Sequence, residues 1–363
     1  MFIWSCDPFV TQFEDSEEAV SYIASSVNIP AGLPDSLNVM TWNIRFGAGR
    51  IPWFGDSCGE RVILSENEVM GNLQPIIDFI NIENPDILLL QEVDVSSKRT
   101  GYLDQVQWIL DHTDFNYGVY ASMWKADFIP SDGLGKVDAG NAILSKWPIE
   151  NAERIQLPLR GDQDGLTQYF YLRRNILKSK IKINDEKEIY ALCTHTTAFA
   201  TDDTKQKHID KFYDVLASID EDNDIFVAGG DLNAIPPNAN ITDFCLSDIC
   251  IDESFHTDVD GPHKEGSYFN NFTGELNLIQ PFYDNPNFLS AIPKDEINQS
   301  INFTHSTWNT NFDSRVLDED YWDRKLDYIF TNVSDGFSDD STHQSAHQLS
   351  DHAPVSVKLD FPE

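Results

Sequence analysis

The chain has 363 residues, of which 41% are apolar, so it can bury a complete core as one large domain or as two ordinary ones. Its formal net charge is −35, which disfavours non-specific binding to duplex nucleic acid, because that affinity comes mainly from Lys and Arg side chains that displace counterions. The acidic excess is compatible both with attraction of divalent cations and with plain solvation of a salt-adapted protein.

The first residues, "MFIWSCDPF", resemble the end of an apolar leader with a bacterial lipoprotein cleavage site at Cys6. A chance start with a free cysteine is the alternative, so both an exported, lipid-anchored protein and a soluble one remain open. No Cys/His spacing matches a structural zinc site, and Cys245 and Cys250 are close enough for a short disulfide loop. No apolar stretch has the length of a membrane span, and we expect a monomer.

Short apolar runs typical of buried strands alternate along the chain with helical patterns, and no repeat or linker divides them. Strands are predicted, in chain order, at residues 37–44, 86–93, 141–147, 174–183, 188–196, 224–232, 325–332 and 353–360. Helices are predicted at residues 65–84 and 201–219, the first with Ser65 and Glu68 in capping-box spacing. We therefore predict one α/β domain over residues 37–363, with packed sheets covered by helices, after an N-terminal extension over residues 1–36.

Two segments are longer than ordinary connections. Residues 47–61 separate the first strand from the first helix, and a long insertion covers residues 243–324. Within and just beyond the insertion, "HSTWNTNFDSRVLDEDYWDRK" is the part we expect to fold over the functional site, since loops of this length are usually functional or disordered. The aromatic side chains of this stretch either stack on a base, sugar or lipid or form a satellite core, which is the commoner outcome; they are Trp308, Tyr321 and Trp322.

Polar residues stand where the predicted strands end. They are Asn43, Glu92, His195, Asp231, Asn233, Asp327, Asp351 and His352. Any one of them would usually be a turn or capping residue. Their shared position at strand ends predicts that together they converge on one edge of a packed pair of sheets.

The stretch "AGGDLNAIPP" shows what such an edge can bind. Asp231 and Asn233 are two residues apart and therefore project to the same side of a strand, while the glycines allow close approach of a ligand. Glu92 closes an apolar run in which a carboxylate is costly unless it meets a cation or donors. With Asn43 as a neutral neighbour, it offers the sparse oxygen coordination of Mg²⁺, which keeps several waters and recruits phosphate oxygens.

The ordered motifs "MTWNIR", "LLLQEVD", "GNAILSKWPI", "CTHT", "GGDLNAIP", "KLDYIF" and "LSDHAPV" resemble those of the endonuclease/exonuclease/phosphatase superfamily. This superfamily includes pancreatic-type deoxyribonucleases, abasic-site endonucleases, neutral sphingomyelinases and inositol-polyphosphate 5-phosphatases, and the resemblance covers roughly residues 37–360. It implies a four-layer α/β sandwich in which two mixed β-sheets pack face to face with helices outside. It also implies a metal-dependent site at one end that hydrolyses a phosphate ester.

Carried over to this sequence, the resemblance implies a metal site and a nucleophile site. Glu92 would be the principal Mg²⁺ ligand with Asn43 beside it, and Mn²⁺ would substitute for Mg²⁺. Asp231 would orient or activate the attacking water. Asn233 would hold the phosphate or the nucleophile, and Asp351 would reach the metal or fix the tautomer of the neighbouring imidazole.

The same resemblance implies groups that contact the phosphate. His352 would contact the phosphoryl oxygens, and His195 would be a second phosphate-contacting histidine that donates a proton to the leaving oxygen, with Asp327 as its partner. Arg174 resembles the superfamily's arginine before the central strand, although Arg173 competes for that role.

The stretch "EVDVSSKRTGYLDQ" resembles a branch of the superfamily called metal-dependent hydrolases. There Lys98, Arg99 and Thr100 either face the substrate or form a solvated loop.

The leading hypothesis is a Mg²⁺-dependent phosphodiesterase that acts on a small or lipid-derived phosphodiester. A DNA or RNA nuclease, which the acidic charge disfavours, and a phosphomonoesterase are the alternatives. A catalytically inactive binding module is the remote alternative.

Overall fold

The computed structural model describes residues 9–56, 58–248, 274–307, 316–317 and 321–361. Its strands, β1 to β14, span Ser16–Glu18, Val20–Ile23, Ser36–Asn43, Ile87–Asp94, Tyr117–Ile129, Gly135–Ser145, Ile149–Gln156, Asn175–Lys182, Glu188–His195, Phe226–Asp231, Leu289–Ser290, Asp327–Thr331, Phe337–Thr342 and Val355–Asp360. Its α-helices, α1 to α6, span Glu66–Glu83, Gln105–His112, Gly165–Phe170, Thr204–Glu221, Cys245–Asp248 and Gln280–Asp284. The strands form two seven-stranded mixed sheets, ordered β1-β7-β8-β9-β10-β12-β11 and β13-β14-β3-β4-β6-β5-β2.

The side chains of β4 show how the layers are built. Ile87 and Leu89 pack into a core shared with the other sheet, whereas Leu88 and Leu90 pack into a second core under α1 and α2. Successive strand residues point to opposite faces, so a continuous apolar run such as this one belongs to a strand covered on both sides. The helix α4 covers the outer face of the sheet that contains β10. The protein is therefore the four-layer α/β sandwich that the sequence predicts.

The predicted central elements are all present, within about two residues at most ends. The helix α1 begins with the predicted capping box, in which the Ser65 backbone N–H donates to Glu68 and the Glu68 N–H donates to the Ser65 hydroxyl. Strands at or near the sheet edges were not predicted, because strands with a solvated face carry a weaker apolar pattern. Among them, β1 pairs with β7 and β2 pairs with β5, so the predicted N-terminal extension supplies an edge strand to each sheet.

The described part of the 243–324 insertion is tied to the sandwich. The strand β11 pairs with β12, and the buried Lys205 ammonium in α4 lies 2.8 Å from Glu275. Tyr321 and Trp322 are buried in a small cluster with Phe303 and Ala353, which confirms the satellite-core alternative for these two aromatic residues.

Other predictions fall partly outside the described residues. Trp308, Cys6 and Cys250 lie outside them. Cys245 is buried, and because Cys250 lies outside the described residues, the Cys245–Cys250 disulfide stays a prediction. Among the described residues, every helix is too short or too polar to traverse a lipid bilayer.

Candidate active site

Strand pairing brings the predicted polar residues to one edge of the sandwich. In the parallel pair β9–β10, His195 lies opposite Asp231, and in the antiparallel pair β10–β12, Asp231 lies opposite Asp327. In the other sheet, β3 and β4 run parallel, with Asn43 opposite the residue before Glu92. The ends of strands from both sheets therefore meet at one place, as the sequence predicts.

The Asp231 carboxylate lies at the centre of this group. Its Oδ2 atom is 3.2 Å from His195 Nε2 and 3.6 Å from His352 Nε2, and it accepts a hydrogen bond of 3.2 Å from the Asn43 amide. Its Oδ1 atom accepts a hydrogen bond from the backbone N–H of Asn233 at 2.9 Å. Burial raises the pKa of Asp231 to about 7, which suits a group that exchanges a proton near neutral pH.

Asn43 connects the two acidic sides of the site. Its side-chain oxygen accepts a hydrogen bond from the Arg45 backbone N–H at 3.0 Å, which fixes the orientation of the amide. The amide nitrogen therefore faces the carboxylates and donates to Glu92 at 3.3 Å as well as to Asp231. The Asn43 amide nitrogen thus bridges Glu92 and Asp231, while its oxygen accepts the hydrogen bond from the Arg45 backbone N–H.

Glu92 is displayed by a local irregularity of β4. The pairing of β4 with β6 shifts register between Leu90 and Val93, and Glu92 has a φ of 54°, which is uncommon for a residue with a side chain. Strain of this kind is found at functional sites, where the surrounding structure maintains it. Burial and then the Asp351 carboxylate raise the pKa of Glu92. A cation would offset both effects, so this carboxylate fits a metal ligand.

The imidazole of His352 is held by Asp327. The Nδ1 atom of His352 lies 2.8 Å from Asp327 Oδ2, and both side chains are buried. Burial alone would lower the pKa of His352, but Asp327 and then Asp231 raise it to about 10, so the imidazole is protonated at neutral pH. The expectation that Asp327 partners His195 is therefore wrong, because the pairing of β12 places Asp327 beside His352.

His195 has the opposite electrostatic environment. Burial, followed by Arg174 and His352, lowers its pKa well below the ordinary value, so this imidazole is neutral at pH 7. Its Nε2 atom faces Asp231, and its Nδ1 atom, 3.9 Å from Glu92, has no hydrogen-bond partner within the described residues.

Asp351 is paired with arginine. Its Oδ2 atom lies 3.3 Å from Arg45 Nε. Burial raises the pKa of Asp351, but Arg45, His352 and Arg50 lower it to about 2, so the carboxylate is ionised. Asp327, and not Asp351, is the carboxylate that orients the imidazole of His352.

Of the two competing arginines, Arg174 faces the site. It lines the central cavity, and its NH1 group donates weakly to the His195 carbonyl at 3.5 Å. Arg173 instead donates to the backbone carbonyls of Tyr169 and Tyr171 and to Gln12. Arg174 can therefore donate hydrogen bonds to a ligand oxygen, whereas Arg173 uses its donors on backbone carbonyls.

Lys98, Arg99 and Thr100, in the loop that follows β4, mostly stabilise the fold. Arg99 makes a two-bond ion pair with the fully buried Asp94, at 2.8 Å for each bond, and Thr100 donates to the same carboxylate. Lys98 donates to the Gly133 carbonyl. Arg99 reaches the cavity wall, but its charge is already balanced.

The site encloses a cavity of about 450 Å³, a volume within the range of small-molecule sites. Glu92, Arg174, His195, Asp231 and His352 all line it. Asn233 lines the cavity too, with a φ of 44° and its amide donating to the Thr196 carbonyl.

The described residues include two groups whose ligand atoms lie within 4.8 Å of one another and could hold an ion. One is His305, Asp351 and His352, and the other is Asp231, Asp327 and His352.

The sequence did not indicate several side chains that line the cavity. His305 and Arg324 come from the insertion, and an isolated bridge joins His305 to His352, whose ring centroid is 4.9 Å away. His305 and Arg324 both belong to the stretch expected to fold over the site, but no strand end or motif singles out the His305 side chain. Arg45 had a usable signal, since it stands two residues after Asn43 in the motif "NIRF".

Comparisons with known proteins agree with this fold. The profile of the Endonuclease/Exonuclease/phosphatase family matches residues 40–352. A search of curated protein sequences found no match. Similar solved structures include an endonuclease/exonuclease/phosphatase from Beutenbergia cavernae DSM 12333, with 17% identity, a TM-score of 0.54, and coverage of 90% of this chain and 72% of that one.

Two further structures are similar to this chain. The human Nocturnin catalytic domain with bound sulfate anion has 16% identity and a TM-score of 0.51 and is covered over 94% of its length by 90% of this chain. A family protein from Leptotrichia buccalis C-1013-b has 16% identity and a TM-score of 0.52, with 90% of this chain covering all of it. At these identities the likenesses show a shared fold.

Proposed function

The chain belongs to the endonuclease/exonuclease/phosphatase family, whose members are hydrolases of phosphate esters, and from this premise we propose that it is a Mg²⁺-dependent phosphodiesterase. In this proposal an activated water attacks a small or lipid-derived phosphodiester in line. The observation that carries it is the position of Asp231, whose Oδ2 atom is within 4 Å of both His195 and His352 and is linked through Asn43 to Glu92. A base, a protonated imidazole and a carboxylate suited to a cation are thereby combined in one cavity.

The family uses divalent metal ions, and Glu92 and Asp351 are the residues that we assign to hold one here. Both carboxylates line the cavity, and the like charge of Asp351 contributes to the raised pKa of Glu92. A bound divalent ion neutralises charge on phosphoryl oxygens. We assign Asn43 to fix the separation of Glu92 from Asp231, because its amide nitrogen faces both carboxylates. Mg²⁺ is commonly bound by only one or two protein carboxylates, as in this assignment, and Mn²⁺ should be able to replace it.

Proton transfer is divided between groups with opposite charge states. Asp231, with a pKa near 7, accepts the proton of the attacking water. His352, held by Asp327, carries its proton at neutral pH and stabilises charge on the phosphoryl oxygens or gives a proton to the leaving oxygen. His195 is neutral, so its proposed role is to orient Asp231 through Nε2 rather than to supply an acidic proton.

The phosphate is held from two other directions in this proposal. Arg174 offers a buried positive charge whose Nε has no hydrogen-bond partner in the described part of the chain. Asn233 orients the nucleophile or a phosphoryl oxygen from the turn that follows β10. Arg99 supports the cavity wall in this account, since Asp94 already balances its charge.

The choice of substrate follows from charge and size. A net charge of −35 repels long polyanions, which favours a small phosphodiester over DNA or RNA. A nuclease and a phosphomonoesterase remain as alternatives with the same chemistry. An inactive binding module would not need a carboxylate that can accept a proton, Asp231, beside a protonated imidazole, His352.

The test is a substrate panel assayed with Mg²⁺, Mn²⁺ or EDTA. It contains bis-p-nitrophenyl phosphate, p-nitrophenyl phosphate, plasmid DNA and sphingomyelin. The proposal predicts hydrolysis of the bis ester with Mg²⁺ or Mn²⁺, loss of that hydrolysis with EDTA, and slower cleavage of plasmid DNA. Cleavage of DNA with an inert bis ester would overturn the proposal in favour of the nuclease alternative, and inertness toward every ester would favour the binding module.

A further inference from the structure

One part of the cavity wall is aromatic and carries no net charge. Its rings form two groups. The tryptophan cluster consists of Trp53, Phe54 and Trp124, and the tyrosine cluster consists of Tyr171 and Phe199. All five rings line the same cavity as Arg174 and His195, and each is only partly buried, so each keeps surface available to a ligand.

An arginine with a balanced charge contacts the tryptophan cluster within the cavity wall. The Arg99 guanidinium lies 3.7 Å from the ring centroid of Phe46, 4.9 Å from that of Trp53 and 6.0 Å from that of Trp124. Both of its bonds to Asp94 are 2.8 Å long, so the positive charge is neutralised within the wall. The cluster is therefore a fixed, apolar surface and not a phosphate site.

The tyrosine cluster is supported in the same way. Arg160 makes two hydrogen bonds to Asp162, at 2.9 and 2.6 Å. It also donates to the Tyr171 hydroxyl at 3.2 Å and to the Phe199 carbonyl at 2.8 Å. Each cluster thus uses one Arg–Asp pair to hold its aromatic residues in place without adding net charge.

The two clusters are adjacent to one another. The indole N–H of Trp124 donates to the Phe170 carbonyl at 2.8 Å, one residue before Tyr171. Trp53, Phe54 and Trp124 all pack on one satellite core. The two clusters are therefore joined through the Phe170 carbonyl and anchored in one cavity wall, which suits a rigid flat group, because aromatic faces and edges favour stacked or edge-on contact with another ring.

We propose that this aromatic surface is a specificity subsite that receives a flat ring, such as a nucleobase or an aryl group, carried on the ester arm that stays on the phosphate after hydrolysis. This inference rests on the proposed function, because it takes the phosphate to lie beside Arg174, His195 and Asp231. The ring then lies on the neutral wall while the charged phosphate stays at the polar end. The substrate class is a small phosphodiester with an aromatic substituent, since rigid rings suit a flat partner better than a flexible acyl chain.

The test compares esters that share one leaving group. Methyl, cyclohexyl, phenyl and dodecyl p-nitrophenyl phosphates differ only in the second arm, and the cyclohexyl and phenyl esters have nearly the same size. The proposal predicts that kcat/KM for the phenyl ester exceeds that for the cyclohexyl ester about 3- to 10-fold, the range expected for one added ring contact. The difference should reside mainly in KM.

A pair of Phe→Leu substitutions provides the matched variants. Phe199, 43% exposed, lines the cavity, and Phe128, 50% exposed, does not. Phe199→Leu should bring the phenyl-to-cyclohexyl ratio toward one, and Phe128→Leu should leave the ratio as in the parent protein.

The outcomes separate the two proposals. If none of the four esters is hydrolysed, the proposed function itself fails. If the methyl ester is hydrolysed but the phenyl ester has no advantage, or Phe199→Leu leaves the ratio unchanged, the function stands and the aromatic subsite is refuted. A preference for the dodecyl ester would also overturn the subsite and indicate an acyl-binding wall.

Discussion

The Nδ1 atom of His352 lies 2.8 Å from the Oδ2 atom of Asp327, and this contact joins the loop before the last strand to the start of β12. It keeps the imidazole charged, and its effect on stability has a definite sign. The pKa of His352 in the folded protein, about 10, is above its ordinary value of 6.5. The charged pair therefore stabilises the fold fully below pH 6.5, and the stabilisation is lost as the pH rises through about 10.

The first prediction concerns that pKa. Replacing Asp327 with Asn removes the main negative charge beside His352, so the pKa of His352 should fall from about 10 toward the neutral range. NMR titration of the imidazole in EDTA-treated protein measures it directly. An unchanged pKa in Asp327→Asn would show that another group holds the proton.

The second prediction concerns the two imidazoles. His195→Ala and His352→Ala should each lower turnover of bis-p-nitrophenyl phosphate by roughly 10²- to 10⁴-fold, the range for loss of an acid–base or orienting group. Circular dichroism should show the fold retained. Turnover close to that of the parent in both variants would contradict the assigned roles.

The third prediction separates two adjacent arginines. Arg174→Lys should lower kcat/KM by roughly 10²-fold, because lysine cannot reproduce the forked donors of a guanidinium toward a phosphoryl oxygen. Arg173→Lys should instead lower Tm more than it lowers kcat/KM, since Arg173 bonds to the Tyr169 and Tyr171 carbonyls. If the two effects were reversed, Arg173 would be the phosphate ligand.

The fourth prediction concerns Gly230, the second of the two glycines before Asp231. A Cβ atom on Gly230 would lie 1.9 Å from the Thr194 carbonyl oxygen, and Gly230 has a φ of 140°. Gly230→Ala should therefore lower the free energy of unfolding by about 2–4 kcal/mol. Gly71→Ala in α1, where nothing lies within 4 Å of the added carbon, should raise it by about 0.5–1 kcal/mol. Urea denaturation of both variants measures the difference, and equal stabilities would contradict the packing argument.

Much of this site follows from local sequence pattern. Each of Glu92, His195 and Asp231 ends or interrupts an apolar run, and parallel pairing brings such ends together. The sequence could not reveal which carboxylate meets which imidazole, because the contact of Asp327 with His352 depends on the order of strands across the sheet. The sequence also did not identify His305 as a site residue, since a histidine in a long insertion belongs to no strand or helix pattern. The edge strands β1 and β2 escaped prediction because strands with a solvated face carry a weaker apolar pattern.

In the proposed function, these acidic and imidazole groups surround one divalent ion held by Glu92. Anomalous diffraction from crystals soaked in Mn²⁺ tests it most directly, with Glu92→Gln crystals as the control. We expect one strong peak at direct coordination distance from Glu92, about 2.1 Å, and its loss in the variant. A peak located elsewhere, or one that persists undiminished in Glu92→Gln, would contradict it.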